Sequence, residues 1–217
     1  MTVYDKSIRS LGLWSAVLCT VFSVSYIVAQ LAEWAGLFGS AGGPHSRSTT
    51  FGLVVLLTPS LLLGVSFVVL AVSIHYVAEA SARIWSHLAV AFASIYATLI
   101  SIVYYVQLAF VIPRLVRGDA DDIQLLIFEP FDSFLYAVDV FGYSLMSLST
   151  LFAAMVFGTQ GIERWIRLFL IANGCLIPFL ALQMYYPPLI WGGSLWAVTF
   201  PMATALLAVH FSRLQVH

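Results

Sequence analysis

The fold class this sequence predicts is an all-α membrane protein, a bundle of about six transmembrane helices with both termini cytoplasmic. Three observations predict it. Of 217 residues, 61% are hydrophobic and only 9% charged, and mean hydropathy is +0.98. An ordinary soluble domain is about a quarter charged. Nine basic and ten acidic side chains cannot cover a water-exposed surface of this size, whereas a bilayer solvates apolar surface directly. Second, the charges divide the chain into uncharged stretches at 10–32, 48–78, 84–113, 140–162 and 168–212, each at or above the roughly 20 residues a helical span needs. Third, the ten-residue alternation of a membrane barrel is absent, and helices satisfy their own backbone in lipid.

The elements follow in order. Lys6 and Arg9 precede an uncharged run of 23 residues. That run exceeds a signal-peptide core, and no small-x-small cleavage site follows it, so it reads as a retained first helix over 11–36. The next three helices are expected at 52–76, 84–112 and 131–158. The last stretch, 45 residues long, is interrupted by Tyr185-Tyr186-Pro187-Pro188, a turn suited to an interface. It splits into helices at 163–184 and 189–211, completing one transmembrane domain over 1–217. Pro59 and Pro178 are candidate kinks in the second and fifth helices.

Direction follows from the basic residues. With the N-terminus inside, Lys6, Arg9, Arg83, Arg164, Arg167 and Arg213 lie on the cytoplasmic side, and Arg47, Arg114 and Arg117 lie outside. Most acidic residues then fall on or near the outer side. Residues 38–50, rich in Gly and Ser, read as a flexible outer loop. Gly118-Asp119-Ala120-Asp121-Asp122 reads as the cap of a short surface helix, since EF-hand spacing and its closing Glu are missing.

Composition removes several functions. One lysine, Lys6, and a net charge of −1 leave no basic patch for nucleic acid. Cys19 and Cys175 lie in apolar runs, without disulfide or zinc spacing. No Walker loop, dinucleotide fingerprint, HExxH or serine nucleophile elbow is present. No span carries a lysine for a retinal Schiff base. His75, His87 and His210 map to the cytoplasmic ends of spans, which argues against haem or a metal centre. No cofactor is expected.

Polar residues inside the spans point to a site. On the first helix Ser15, Cys19, Ser23, Tyr26, Gln30 and Glu33 recur every three or four residues. The third carries Ala89, Ala93, Ala97 and Ser101, a stripe that suits close helix packing, with Tyr105 and Gln107 nearby. The fourth presents Asp132, Tyr136, Asp139, Tyr143, Met146 and Thr150. Asn173 and Gln183 belong to the fifth. Tyr104, Tyr185, Tyr186, Trp191 and Trp196 are expected as interface anchors. Asp139, about 12 Å into its span at the helical rise, is costly there unless protonated, paired or hydrated, and no intramembrane Lys or Arg can pair with it. A span starting later would leave it interfacial, as Glu33 and Asp132 are by position.

The convergence at outer depth predicts a polar pocket among helices one, three, four and five. Its candidate ligand-binding residues are Tyr26, Gln30, Glu33, Tyr105, Gln107, Asp132, Tyr136, Asp139, Tyr143 and Gln183. A small molecule, cation, amine, lipid headgroup or proton would suit it, for binding or transport. The alternatives are an accessory subunit of a membrane complex or homo-oligomer, and a lipid- or isoprenoid-modifying enzyme with Asp139 and Glu33 as its acid–base pair.

Ile84-Trp85-Ser86, Ser101-Ile102-Val103-Tyr104-Tyr105-Val106-Gln107-Leu108, Gly142-Tyr143-Ser144-Leu145-Met146 and Glu163-Arg164-Trp165-Ile166-Arg167 with Asn173-Gly174 resemble uncharacterised bacterial multi-pass membrane proteins. The resemblance spans residues 84–174 and implies a bacterial inner-membrane setting, with no activity to carry over.

Overall fold

The computed structural model describes residues 5–215, among which there is no strand. Helix α1 (Lys6–Trp34) starts where the Asp5 side chain accepts a hydrogen bond from the Ser7 amide at 2.6 Å. Helix α2 (Thr50–Val77) is capped by Thr49, whose Oγ1 accepts from the Gly52 amide at 3.1 Å. Both satisfy amide donors that a first turn otherwise leaves free. Helix α3 (Arg83–Val106) runs into a π-helical turn, Gln107–Val111, and then α4 (Ile112–Arg117). The third segment thus continues beyond the expected 112. Pro113, the second residue of α4, follows directly on the π-helical turn, at a point where the helical ladder lacks the N–H that proline does not supply.

Helix α5 (Phe134–Ala153) begins three residues later than expected, because Ser133 caps it by accepting from the Tyr136 amide. The fifth segment is discontinuous, with α6 (Gly161–Gly174) and α7 (Ile177–Ala181) separated at Cys175–Leu176, just before Pro178. The sixth is likewise divided, into α8 (Ile190–Gly193) and α9 (Trp196–Ser212). Six helical segments in all are long and apolar enough to cross a membrane.

Each segment packs against its neighbours in sequence, and α9 returns against α1, so the six close into a ring. Arg9 Nη2 donates to the Ser212 carbonyl at 2.8 Å. The two ends of the described chain therefore lie together, here the terminal end; the turns after α1, α4 and α7 form the loop end. Small residues set the spacing. Gly64 faces Ala97 across α2 and α3, and Gly174 faces Leu151 across α6 and α5. Ser149 Oγ donates to the Ala89 carbonyl at 2.7 Å, so the alanine stripe packs helices, as its composition predicts. Asn173 joins three helices, donating to Thr150 Oγ1 at 3.0 Å and accepting from Thr199 Oγ1 at 2.9 Å.

The axis of the ring is filled by aromatic side chains. Phe67, Tyr96, Tyr143, Trp196 and Phe200 form a closed circuit from four helices, with successive ring centroids 5.3–5.8 Å apart. Edge and offset contacts at this spacing are favourable. This layer separates the terminal half of the bundle from a cavity at the loop end.

Candidate ligand-binding pocket

The cavity has a volume of about 450 Å³ and is bounded by all six segments and two loops. Its floor is Tyr143 and Trp196 of the aromatic circuit. Tyr26, Gln30 and Glu33 of α1 form one wall, Leu53, Leu56 and Leu57 of α2 the next, then Tyr104, then Tyr136 and Asp139 of α5, then Gln183. Pro44, Ser46 and Ser48 of the first loop and Phe128 and Pro130 of the second reach over it. The two loops meet where His45 packs on Phe131, with ring centroids 4.9 Å apart. Phe131 is the only non-glycine residue with positive φ (65°) among those described.

Most polar groups of the wall are paired. Tyr26 donates to Gln30 Oε1 at 3.0 Å, and Tyr136 to Gln183 Oε1 at 3.1 Å. The Tyr104 hydroxyl donates to that of Tyr143 at 3.3 Å. The carboxylates differ. Glu33 is 2% exposed and Asp139 8%, yet both Glu33 oxygens and Asp139 Oδ1 have no hydrogen-bond partner among the described residues. The Trp196 Nε1 donor is also unpaired. Among the described residues, no lysine, arginine or histidine lines the cavity.

Seven of the ten residues singled out in the sequence line this cavity: Tyr26, Gln30, Glu33, Tyr136, Asp139, Tyr143 and Gln183. Three do not. Tyr105 points out of the bundle, 66% exposed. Asp132 precedes α5, is exposed, and so does not share the face of Asp139. Gln107 is fully buried, but it braces the second loop. Its Nε2 donates to the Leu126 carbonyl at 2.6 Å, and its Oε1 accepts from the Phe128 amide at 3.3 Å. Glu33 and Asp139, the first read as interfacial and the second open between depth and interface, are both buried. The later start of α5 at Phe134 puts Asp139 in the second turn of its helix, with its side chain in the cavity lining.

Five aromatic residues were missed as pocket residues: Trp34, Tyr104, Phe128, Trp191 and Trp196. Tyr104 and Trp196, expected at an interface, are 1% and 6% exposed. Continuing the Ala89–Ala93–Ala97 stripe by two helical turns reaches Tyr104, which was the signal available. The sixth segment carries no comparable contrast between faces, because it is apolar all round.

His75 and His87 stack with centroids 4.2 Å apart, and His75 Nδ1 lies 2.8 Å from Ser86 Oγ. His210 packs separately on Phe157 and Phe211. Among the described residues no group of three or more His, Cys, Asp or Glu is arranged to hold a metal ion. Comparison of the chain with protein families, curated proteins and solved structures finds no match. The functional reading therefore stands on the pocket's own chemistry.

Proposed function

We propose that the chain is an integral membrane protein crossing the bilayer six times, with both termini cytoplasmic, whose outward-facing pocket binds a small organic cation. The observation that carries the binding role is the pair of buried carboxylates, Glu33 and Asp139. Three of their oxygens lack partners inside an aromatic cavity that contains no basic side chain among the described residues. A buried charge without a partner costs of the order of several kcal/mol. An ammonium group beside the carboxylates removes that cost, and an aromatic lining that includes Tyr26, Tyr104, Tyr143 and Trp196 is of the kind that attracts cations. A volume of about 450 Å³ is of the size that holds a small organic molecule.

The orientation is supported by charge. Lys6, Arg9, Arg83, Arg164, Arg167 and Arg213 gather at the terminal end, and only Arg47, Arg114 and Arg117 lie toward the loop end. A cytoplasmic terminal end satisfies the positive-inside preference. The aromatic circuit closes the cavity toward that end, which favours a binding role over an open path.

Titration of the purified protein in lipid nanodiscs with benzyltrimethylammonium, followed by tryptophan fluorescence, tests the reading, since Trp34, Trp191 and Trp196 line the cavity. Saturable binding is expected, weakened about tenfold or more by Asp139→Asn, as for loss of a charge-assisted contact. The neutral isostere neopentylbenzene should not compete. Equal binding of the two compounds, or full affinity in Asp139→Asn, overturns the proposal.

A further inference from the structure

Part of the pocket's lining belongs to side chains that are also largely exposed. Leu31 of α1 and Trp191 of α8 both line the cavity, yet they are 59% and 60% exposed on the outer surface of the bundle. Ile27, Ile190 and Ala197 also line the cavity. Helix α1 packs extensively on α9 toward the terminal end but makes at most glancing contact with α8. The edge-to-face pair Trp34–Trp191, with centroids 5.8 Å apart, joins α1 to α8 near the loops. The outer surface flanking these residues is apolar, with Val24 and Val28 exposed on α1 and Leu195 and Val198 exposed on α9.

We infer that the occupant is an amphiphile whose ammonium head lies beside Glu33 and Asp139 while its hydrocarbon chain passes through a cleft between α1 and α8 into the bilayer. This inference rests on the membrane and cation reading above. Its physical basis is the polarity contrast within one cavity. The lining holds two carboxylates with unpaired oxygens, and on its flank Ile27, Leu31, Ile190 and Trp191 lie at a surface that a membrane would solvate. A water-soluble amine needs no apolar side opening. An amphiphile does, because withdrawing its chain from lipid costs free energy for every methylene moved. The chemistry is shared by a bilayer lipid with an amino head and by a free long-chain amine.

The test uses the full-length protein in phosphatidylglycerol nanodiscs and a series of alkyltrimethylammonium ions from octyl to tetradecyl, with Kd expressed as mole fraction in the lipid. If the chain stays in the bilayer, this Kd is flat across the series. If the chain must be drawn into a closed pocket too short to hold it, affinity falls by up to about fourfold for each added methylene. Leu31→Trp obstructs the cleft and should turn the flat series steep, with its thermal unfolding compared with that of the unaltered protein as the control for folding. Ala197→Leu is the second obstruction and should act in the same direction if Leu31→Trp does not fold.

A steep series in the unaltered protein overturns the lateral opening while leaving the cation site standing, as does a flat series that neither variant changes. Loss of carboxylate-dependent binding for every compound, benzyltrimethylammonium included, overturns the underlying cation reading instead. Adding phosphatidylethanolamine separates the sources. Competition with the alkylammonium identifies a bilayer lipid as the natural occupant, and its absence identifies a free long-chain amine; either supports the cleft.

Discussion

The carboxylate of Glu33 lies directly over Gly52: a β-carbon on that glycine would stand 2.6 Å from Oε2 and 3.2 Å from Cδ. Glu33 ends the polar stripe of α1, and Gly52 sits in the first turn of α2, where the helix dipole is positive. The absence of a side chain at 52 is what lets the two helices hold a carboxylate between them at the edge of the pocket. Gly52→Ala should therefore push the Glu33 carboxylate aside, and because the end of a flexible side chain yields and Ala gains helix propensity, stability should change by no more than about 1 kcal/mol. Thermal unfolding of Gly52→Ala, Glu33→Ala and the double variant checks this. Coupling of about 0.5 kcal/mol or more is expected for residues in contact, and strict additivity contradicts the arrangement.

Asp139→Asn should weaken cation binding and yet leave the unliganded protein as stable as before, or more stable by about 1 kcal/mol. The reason is that the native carboxylate has no cation to lose, so the substitution removes a buried charge without orphaning a partner. Sites held ready for a ligand commonly carry such a stability deficit. The check is unfolding in detergent without ligand, beside titration of the same preparation. A marked fall in stability would mean that Asp139 serves the fold through contacts of its own.

Six helical segments were legible because charge is scarce and unevenly placed, so the long uncharged runs mark them. The inward face of α1 was legible too, since Ser, Cys, Gln and Glu contrast with Val and Leu at helical spacing. Breaks within segments were harder to read. Pro178 marked the α6–α7 interruption only as a kink, and nothing in Gly193-Ser194-Leu195 announces the α8–α9 step. The sixth segment was opaque for a related reason: Trp196, Phe200, Ala203, Leu207 and Phe211 are buried, but the opposite face is equally apolar. Gln107 was read correctly as an inward polar group and wrongly as pocket lining, because the Leu126 carbonyl and Phe128 amide of the second loop take up its side chain, a contact that helical periodicity does not show.

Asn173→Leu tests the polar tie between α5, α6 and α9. The substitution keeps the volume close while removing both hydrogen bonds, to Thr150 and from Thr199. Such interhelical bonds contribute about 0.6 kcal/mol on average and up to about 1.7 in the best-measured membrane case. A loss of about 1–2 kcal/mol in steric-trap or chemical unfolding is expected, with cation affinity nearly unchanged because Asn173 does not line the cavity. A larger effect on binding than on stability would tie this network to the pocket.

Gln107 and Tyr105, two residues apart, should behave as opposites. Gln107 holds the Leu126 carbonyl and the Phe128 amide, so Gln107→Ala leaves two loop backbone groups without their side-chain partner, at a cost of about 1–3 kcal/mol. The released segment carries Phe128 and Pro130, which lean over the cavity. Hydrogen exchange should therefore quicken at 123–128, and benzyltrimethylammonium should dissociate faster. Tyr105→Ala removes a side chain that faces away from the bundle and should change neither readout. The contrast isolates the loop brace from general loosening of α3, since both substitutions shorten a side chain near the same turn. Faster exchange in both variants would assign the effect to the π-helical turn itself rather than to the contacts of Gln107.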